Sequence, residues 1–391
     1  MTLLFLVAFV SILYLFFRPQ HHHTPRPRTV FKDLSSIRSL LANSTLASRA
    51  IPNERLIRAF NISNSFTTTS LNNHRHSKKQ AEDLLKAIGK DWASLAAFTQ
   101  SITRKYFPVS ASRPFNLSGV IRGIVLTVAI HTFFPSTPES DPEDIATLAM
   151  LIHNLWIQSK TSCSPLRRLQ QRRSLALTLR KLFPGLPETP ENNPLNLILP
   201  AYETLWRVVL RLFLEIAFRE EGTQQGVVYR RLLREYLASP DDRCSFTRVI
   251  ARVSMETLTK ETLRLYPPTK RINRFDQGVD AAADVEAVHY DCEIWGEDAG
   301  QFRPSRWMER DDARADTMAR AYLAFGTGAF VCPAKGAFAG RILGILVAVL
   351  VEKFDEEEVV WRAEAQDEVE GAGVALRNER DSYGTLQFEL R

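Results

Sequence analysis

The stretch Phe325–Gly336, FGTGAFVCPAKG, sets one cysteine among glycines and small residues, just ahead of an apolar helical run. No other stretch constrains this chain as strongly. Glycines let a backbone pass close to a flat object. A cysteine at the mouth of a helix sits in a positive field that favours the thiolate. A thiolate that meets a planar cofactor is a candidate haem ligand. Taken alone, Cys332 reads first as a buried, inert thiol, the usual state of a free cysteine.

The chain has four cysteines, Cys163, Cys244, Cys292 and Cys332, and no two stand as a CxxC pair. That spacing argues against a structural zinc site and gives no disulfide framework, which suits a reducing compartment. At 391 residues and 45% hydrophobic, there is material for one large core or two ordinary ones. The net charge of +6 is spread along the chain, so nucleic-acid binding is not the default expectation.

Residues Leu3–Phe17, LLFLVAFVSILYLFF, carry no charge. As a helix they span about 25 Å, a little short of a hydrocarbon core. Arg18, Arg26 and Arg28 follow the run rather than precede it, the reverse of a secretory signal peptide. Positive charge after the span holds that side in the cytoplasm. The expectation is a signal-anchor with the rest of the chain cytoplasmic, against the alternative of a cleaved or merely buried segment. Pro19, Pro25 and Pro27 predict a stiff spacer, and the histidines at 21–23 read as part of it.

Residues 30–75 are polar without a strong period, and SFTTTSLNN (65–73) reads as loop. Leu84, Leu85, Ile88, Trp92, Leu95, Ala96 and Phe98 recur at three- and four-residue steps and predict helix from Lys78 to Phe107. Further helices are expected at Leu117–Phe134 and Pro142–Gln158, then a proline-rich break at Pro184–Pro194 and one long helix over Leu195–Glu220. Shorter helices are expected near Val227–Ala238 and Thr247–Leu265. After Tyr266-Pro267-Pro268 the texture turns to short strands, and the apolar helix containing Gly344–Phe354 precedes a tail with a strand pair. The fold class is mainly α with a small β component.

Cys332 does not stand alone. Glu261 and Arg264 in ETLR share a helix face. Arg306, in FRPSRW, has the reach to complete a forked charge cluster with the same glutamate. With PAYET (200–204) and FGTGAFVC, these four ordered pieces resemble the cytochrome P-450 family, the haem-thiolate monooxygenases, from about Leu195 to the C-terminus. The anchor and spacer resemble the family's membrane-bound, fungal-like members.

The resemblance implies a cytochrome P-450-like haem-thiolate fold preceded by a transmembrane helix. It implies an anchor at 1–17, a linker at 18–30 and a single catalytic domain at 31–391 with a shortened N-terminal part. Cys332 would be the axial ligand of haem b iron, and Phe325 would shield its sulfur, with Gly326 and Gly328 in the cofactor loop. Arg271 would meet a haem propionate, with His74 or Arg75 as a second partner. Glu261, Arg264 and Arg306 would form the structural cluster. Glu203 and Thr204 would manage protons, where the bland alternative for Thr204 is a helix hydroxyl bonded to a preceding carbonyl. The implied activity inserts one oxygen atom from O2 into a lipophilic small molecule, in specialised metabolite biosynthesis. Electrons would come from NADPH through a separate flavoprotein reductase, since no GxGxxG pattern is present. The implied location is the endoplasmic reticulum membrane, with no nucleic-acid partner.

This sequence departs from the family pattern at several positions. Phe330 stands where an arginine or histidine is usual, with Lys335 as a candidate replacement. Ala334, Tyr202 and Cys292 replace common glycines and a proline. Two alternatives stay open: a haem-thiolate enzyme that rearranges or dehydrates its substrate, and a degenerate, non-catalytic relative.

Overall fold

The computed structural model describes residues 28–107, 114–161, 164–309, 312–357, 359–361, 369 and 373–390. The expected anchor at 1–17 lies outside these residues, as does most of the expected spacer. None of the described helices is long and apolar enough to cross a membrane.

In chain order, strand β1 (Arg28–Phe31) takes up the end of the expected linker. Helices α1 (Leu34–Ala42), α2 (Glu54–Phe60) and α3 (Leu71–Ile88) follow, so the polar stretch 30–75 is more helical than its weak period suggests. Their starts are local. Asp33 accepts from Ser36 N–H at 2.8 Å, and Ser70 accepts from Asn73 N–H, which ends the predicted loop at residue 70. The single helix expected at 78–107 is two: α3 stops at Gly89, and Asp91 caps α4 (Trp92–Tyr106). Strand β2 (Phe115–Asn116), α5 (Leu117–Phe133) and α6 (Pro142–Gln158) come next. A helix the sequence pattern hides, α7 (Pro165–Leu182), precedes the proline-rich break.

Helix α8 (Leu195–Leu214) ends in one π-helical turn, Glu215–Arg219. Pro200 sits inside it and cannot donate to the Asn196 carbonyl. The Asn64 side-chain amide supplies that hydrogen bond instead, at 3.4 Å. Helix α9 (Gln224–Ala238) follows. Helix α10 (Met255–Leu265) begins later than its apolar spacing predicts. Ala251 and Arg252 hold left-handed φ in the preceding turn, and a capping box between Ser254 and Thr257 sets the first residue.

Strands β3 (Arg271–Asp276) and β4 (Val279–Asp284) form an antiparallel hairpin, and β1 adds to β4 in parallel. Gln277 and Gly278 both have positive φ, the signature of a two-residue type I′ turn. Helices α11 (Asp312–Ala321) and α12 (Ala337–Glu356) flank the cysteine loop. Strand β5 (Val359–Trp361) pairs with β6 (Gln387–Leu390), which also pairs with β2.

The main core joins α4 to α6, α8, α9, α10 and α12. A smaller apolar cluster joins α1 and β4 to Trp295, Met318 and Leu323, just ahead of the cysteine loop. The loop is thus held between two packed bodies.

Candidate haem-thiolate site

The charged knot comes first, because it fixes the chain around the loop. Arg264 grips Glu261 with two parallel hydrogen bonds of 2.8 and 2.9 Å, and both side chains are fully buried. Arg306 reaches the same carboxylate at 2.8 Å. The Trp307 indole N–H and the Arg303 backbone N–H complete its shell, each at 3.0 Å. The remaining arginine donors end on carbonyls, Arg264 on His289 and Ala299 and Arg306 on Trp295 and Asp298, and Arg306 also reaches the Asp298 carboxylate at 3.1 Å. Such complete pairing is what permits burial of three ions.

One contributor escaped sequence reasoning. His289 is fully buried. Its Nε2 accepts from the Leu323 backbone N–H at 2.9 Å, so its Nδ1 donates to the Arg264 carbonyl at 2.7 Å. Burial, followed by the Arg264 charge, pushes its pKa down to about 3. A neutral imidazole therefore ties the knot to the segment leading into the cysteine loop. The motif offered no signal beyond a histidine six residues before Trp295.

In the loop, the Cys332 N–H donates to the Phe325 carbonyl at 3.0 Å, which places Phe325 beside the cysteine. Gly326 and Gly328 both have positive φ. What Gly328 accommodates is protein: a Cβ there would lie 2.7 Å from the Leu41 carbonyl oxygen of α1. The close approach that demands glycine at 328 is therefore to a helix end, a correction to the reading that both glycines serve a cofactor face. The field around Cys332 also differs from expectation. Helix α12 starts only after Gly336, and burial pushes the thiol pKa up. The Ala334 and Lys335 backbone N–H groups and the Arg49 charge pull against that rise.

Around the loop stand cations that no described carboxylate neutralises. Arg49 is buried, its guanidinium 4.3 Å from the Phe66 ring centroid and 4.8 Å from that of Phe330. Burial, then repulsion from Arg274, lowers its pKa to about 10, while the Cys332 sulfur acts the other way. Arg274 is also buried, 5.8 Å from the Phe330 centroid, and its Nε donates to Ser44 Oγ at 2.7 Å. His74 meets Phe330 edge-on at 5.4 Å, with its buried Nδ1 unpartnered among the described residues. Phe330, the departure from the family pattern, is the platform on which these three groups gather.

The structure thus separates the candidate propionate partners. Arg271 is exposed and pairs with Asp284 at 2.9 Å. Side chains alternate faces along a strand, so Arg274, three residues on, points inward in its place. Arg75 and Lys335 are exposed, while His74 is buried. Arg49 was missed because it lies in a segment without period or motif.

The proposed proton pair is also placed otherwise. Thr204 Oγ donates to the Pro200 and Ala201 carbonyls at 3.1 and 3.0 Å, the bland helix-hydroxyl geometry. Glu203 is buried and held by both terminal nitrogens of Arg380. Neither side chain is free to relay a proton in this arrangement.

Two buried, uncompensated arginines and an orphaned imidazole nitrogen beside a cysteine loop fit an acidic, planar iron cofactor, the donor set a haem with its two carboxylates requires. Arg49, Arg274 and His74 would hold the carboxylates, and Cys332 would ligate the iron.

Comparison with known proteins agrees with this class of site. Residues 251–381, which contain the knot and the loop, match the family model described as Cytochrome P450. A cytochrome P450 of Caenorhabditis elegans is 35% identical over 107 residues, 24% of this chain and 20% of that protein. Cytochrome P450 714B3 of Zea mays is 36% identical over 115 residues, 26% of this chain and 21% of that protein. The chain thus aligns with about a fifth of the length of these curated relatives. Among solved structures, a 6-coordinated cytochrome P450 from Thermus thermophilus superposes with a TM-score of 0.63 at 16% identity, covering 97% of each chain. The retinoic acid-bound cyanobacterial CYP120A1 gives a TM-score of 0.64 at 15% identity, covering 94% of this chain and 89% of that one. The fold is therefore the cytochrome P450 fold. The sequence match to that family lies within residues 251–381.

Proposed function

We propose that this chain is a haem-thiolate monooxygenase that inserts one oxygen atom from O2 into a lipophilic small molecule. One observation carries the reading: Cys332 lies in a loop ringed by buried cations that lack an anion among the described residues. Bound haem supplies the activation of O2, and a thiolate ligand strengthens it by donating electron density to iron. The chain's own residues have simpler tasks. Arg49 and Arg274 neutralise the cofactor's carboxylates, and the His74 imidazole, held neutral by burial and the Arg49 charge, helps to orient them. Phe330 keeps water from that end. His289 and the Glu261 knot hold the loop in register. Electrons come from a separate NADPH-dependent flavoprotein reductase. Residues 1–17 anchor the chain in the endoplasmic reticulum membrane with its body in the cytoplasm. The specialised biosynthetic role rests on the family resemblance alone.

The test is a reduced-plus-carbon-monoxide difference spectrum of purified protein. A Soret band at the thiolate-ligated position is expected, and its loss in Cys332→Ser. A band unchanged in that variant would remove Cys332 as the ligand.

A second reading has one observation in its favour. Glu203 is clamped by Arg380 and Thr204 is bonded to helix carbonyls. A haem-thiolate enzyme that rearranges or dehydrates its substrate has no need of that proton route. Substrate-dependent NADPH consumption separates the two, and its absence would leave the second reading.

A further inference from the structure

Residues 374–380 of the tail form a strap with no helix or strand of its own. It runs antiparallel along α8 and its π-helical turn, and side chains hold its backbone there. Arg219 donates to the Val374 carbonyl. Arg211 donates to the Arg377 and Glu379 carbonyls at 3.1 and 2.7 Å, and Arg207 to the Asn378 carbonyl at 3.0 Å. The Tyr266 hydroxyl accepts from the Leu376 N–H at 3.2 Å, and the Tyr383 hydroxyl from the Arg377 N–H at 2.9 Å. Val374 is exposed and Leu376 is buried, so the strap closes over the interior at this point. Buried backbone groups need partners, so the docking of the strap depends on these side chains.

Two of the holds converge on one carboxyl. The Tyr266 hydroxyl donates to Glu215 Oε1, and Arg219 Nη1 meets the same oxygen at 3.1 Å. Both members of this ion pair are 3% exposed. The pair is unfinished, because Arg219 Nε and Nη2 are buried without partners among the described residues. Arg264, by contrast, offers Glu261 two parallel bonds. Glu215 also opens a π-helical turn, a distortion that recurs at functional sites.

The surrounding charges favour a proton there. Burial pushes the Glu215 pKa up to about 7, against the pull of Arg219 and the Tyr266 hydroxyl, and the Glu220 charge adds to the rise. From α9, Tyr229 feels the Glu215 charge, and Arg230 bonds the Ile216 carbonyl at 3.0 Å while pairing with Asp355 of α12 at 3.3 Å. Tyr290 feels the same carboxylate, and Arg211 lies in the field of Tyr266. Lifting the strap off Tyr266 and Arg219 lets water reach Glu215, whose pKa then returns toward 4.5. The docked strap therefore favours the carboxylic acid and the lifted strap the carboxylate. Docking weakens as the pH rises from about 4.5 to 7 and changes no further once Glu215 is ionised in both forms.

We propose that residues 374–380 are a proton-operated latch, docked on α8 while Glu215 carries its proton and released when that proton is lost. Arg380, which clamps Glu203, is the far end of the strap, so release also takes the partner from that buried carboxylate. The latch belongs to the polypeptide and stands apart from the haem-thiolate reading.

The experiment is hydrogen exchange of the full-length protein, read by mass spectrometry on peptides from 374–386 and from α10, with rates corrected for the intrinsic pH dependence of exchange. Strap protection is expected to fall about tenfold between pH 6 and 8, the ratio imposed by a pKa of about 7 when docked and 4.5 when lifted. Low urea should leave strap protection unchanged while reducing that of α10, because a local opening exposes little surface. Glu215→Gln, which mimics the neutral carboxyl, should hold strap protection constant across this pH range. Tyr266→Phe removes the hydroxyl that joins Leu376 to Glu215 and should lower strap protection at every pH. Wild-type strap protection that does not change with pH overturns the proposal, as does a pH dependence that persists in Glu215→Gln. A strap that exchanges only together with α10, with the same urea dependence, also overturns it, because the opening is then global unfolding.

Discussion

Two groups of buried arginines lie either side of the cysteine loop, and the chain treats them in opposite ways. Arg264 and Arg306 share the Glu261 carboxylate, which also accepts from the Trp307 indole N–H, and their remaining donors end on Asp298 and a set of carbonyls, so every charge is answered from within. Arg49 and Arg274 are also buried, yet they face aromatic rings, a hydroxyl, one carbonyl and each other. A finished network contributes to folding whatever else is bound. An unfinished one stores an electrostatic cost that only an incoming anion removes. The contrast divides residues that build the fold from residues that wait for a ligand.

The sharpest way to break the comparison is at Glu261. Glu261→Ala strands two buried guanidiniums, so a loss of about 3–5 kcal/mol is expected. Urea denaturation should show it, and a variant that stays within 1 kcal/mol (about a fivefold change in the equilibrium) would refute the knot's role.

Glu215 lies between the extremes. It accepts from the Tyr266 hydroxyl and from Arg219 at 3.1 Å, yet burial raises its pKa from 4.5 to about 7. The folded chain therefore keeps a proton that the unfolded chain releases above about pH 4.5. This contribution is fully present below that pH and is lost as the pH rises through 7. A fall on the order of 3 kcal/mol follows from the shift, and Glu215→Gln should flatten the pH profile of urea unfolding between 5 and 8.

Gly328→Ala combines a left-handed φ of 76° with a Cβ 2.7 Å from the Leu41 carbonyl. A cost of about 1–3 kcal/mol is expected, with a displaced or broadened carbon monoxide band. Arg49→Leu should separate the two kinds of arginine directly. The cofactor-free protein should gain about 1 kcal/mol, because a buried unmatched charge is gone, while haem retention on a desalting column falls. Loss of both together would place Arg49 with the finished network. Arg271→Ala should do least. Its ion pair is half in solvent, so thermal denaturation should change by no more than about 0.5 kcal/mol.

The sequence made legible whatever is written in short spacings. Glu261 and Arg264 lie one helical turn apart, Arg306 lies in a compact proline-containing turn, and Cys332 lies in a glycine loop; the structure places them as their local patterns imply. Helix α8 was legible from its continuous amphipathic run. What failed depended on tertiary partners. Helix α7 buries only Leu175 and Leu182 along its length, too few to show a period. Helix α1 buries Ile37 and Leu41 alone, and its clearest trace was the Asp33 cap. Choosing Arg274 over Arg271 required knowing the strand's face, which is set by the turn at Gln277-Gly278 and by pairing with β4. Arg49 and the Glu215 latch come from elements distant in sequence, and no local pattern marks them.

The contact between Gly328 and the end of α1 bears on assembly. Because the loop's backbone is moulded against Leu41 and Ala42, part of its shape is templated by polypeptide. On the haem-thiolate reading, the sulfur would be presented on a formed surface, and haem binding would not have to organise the loop. Cys332 would then meet the cofactor as a thiol that burial keeps neutral, and the rate of haem uptake by the empty protein should rise with pH.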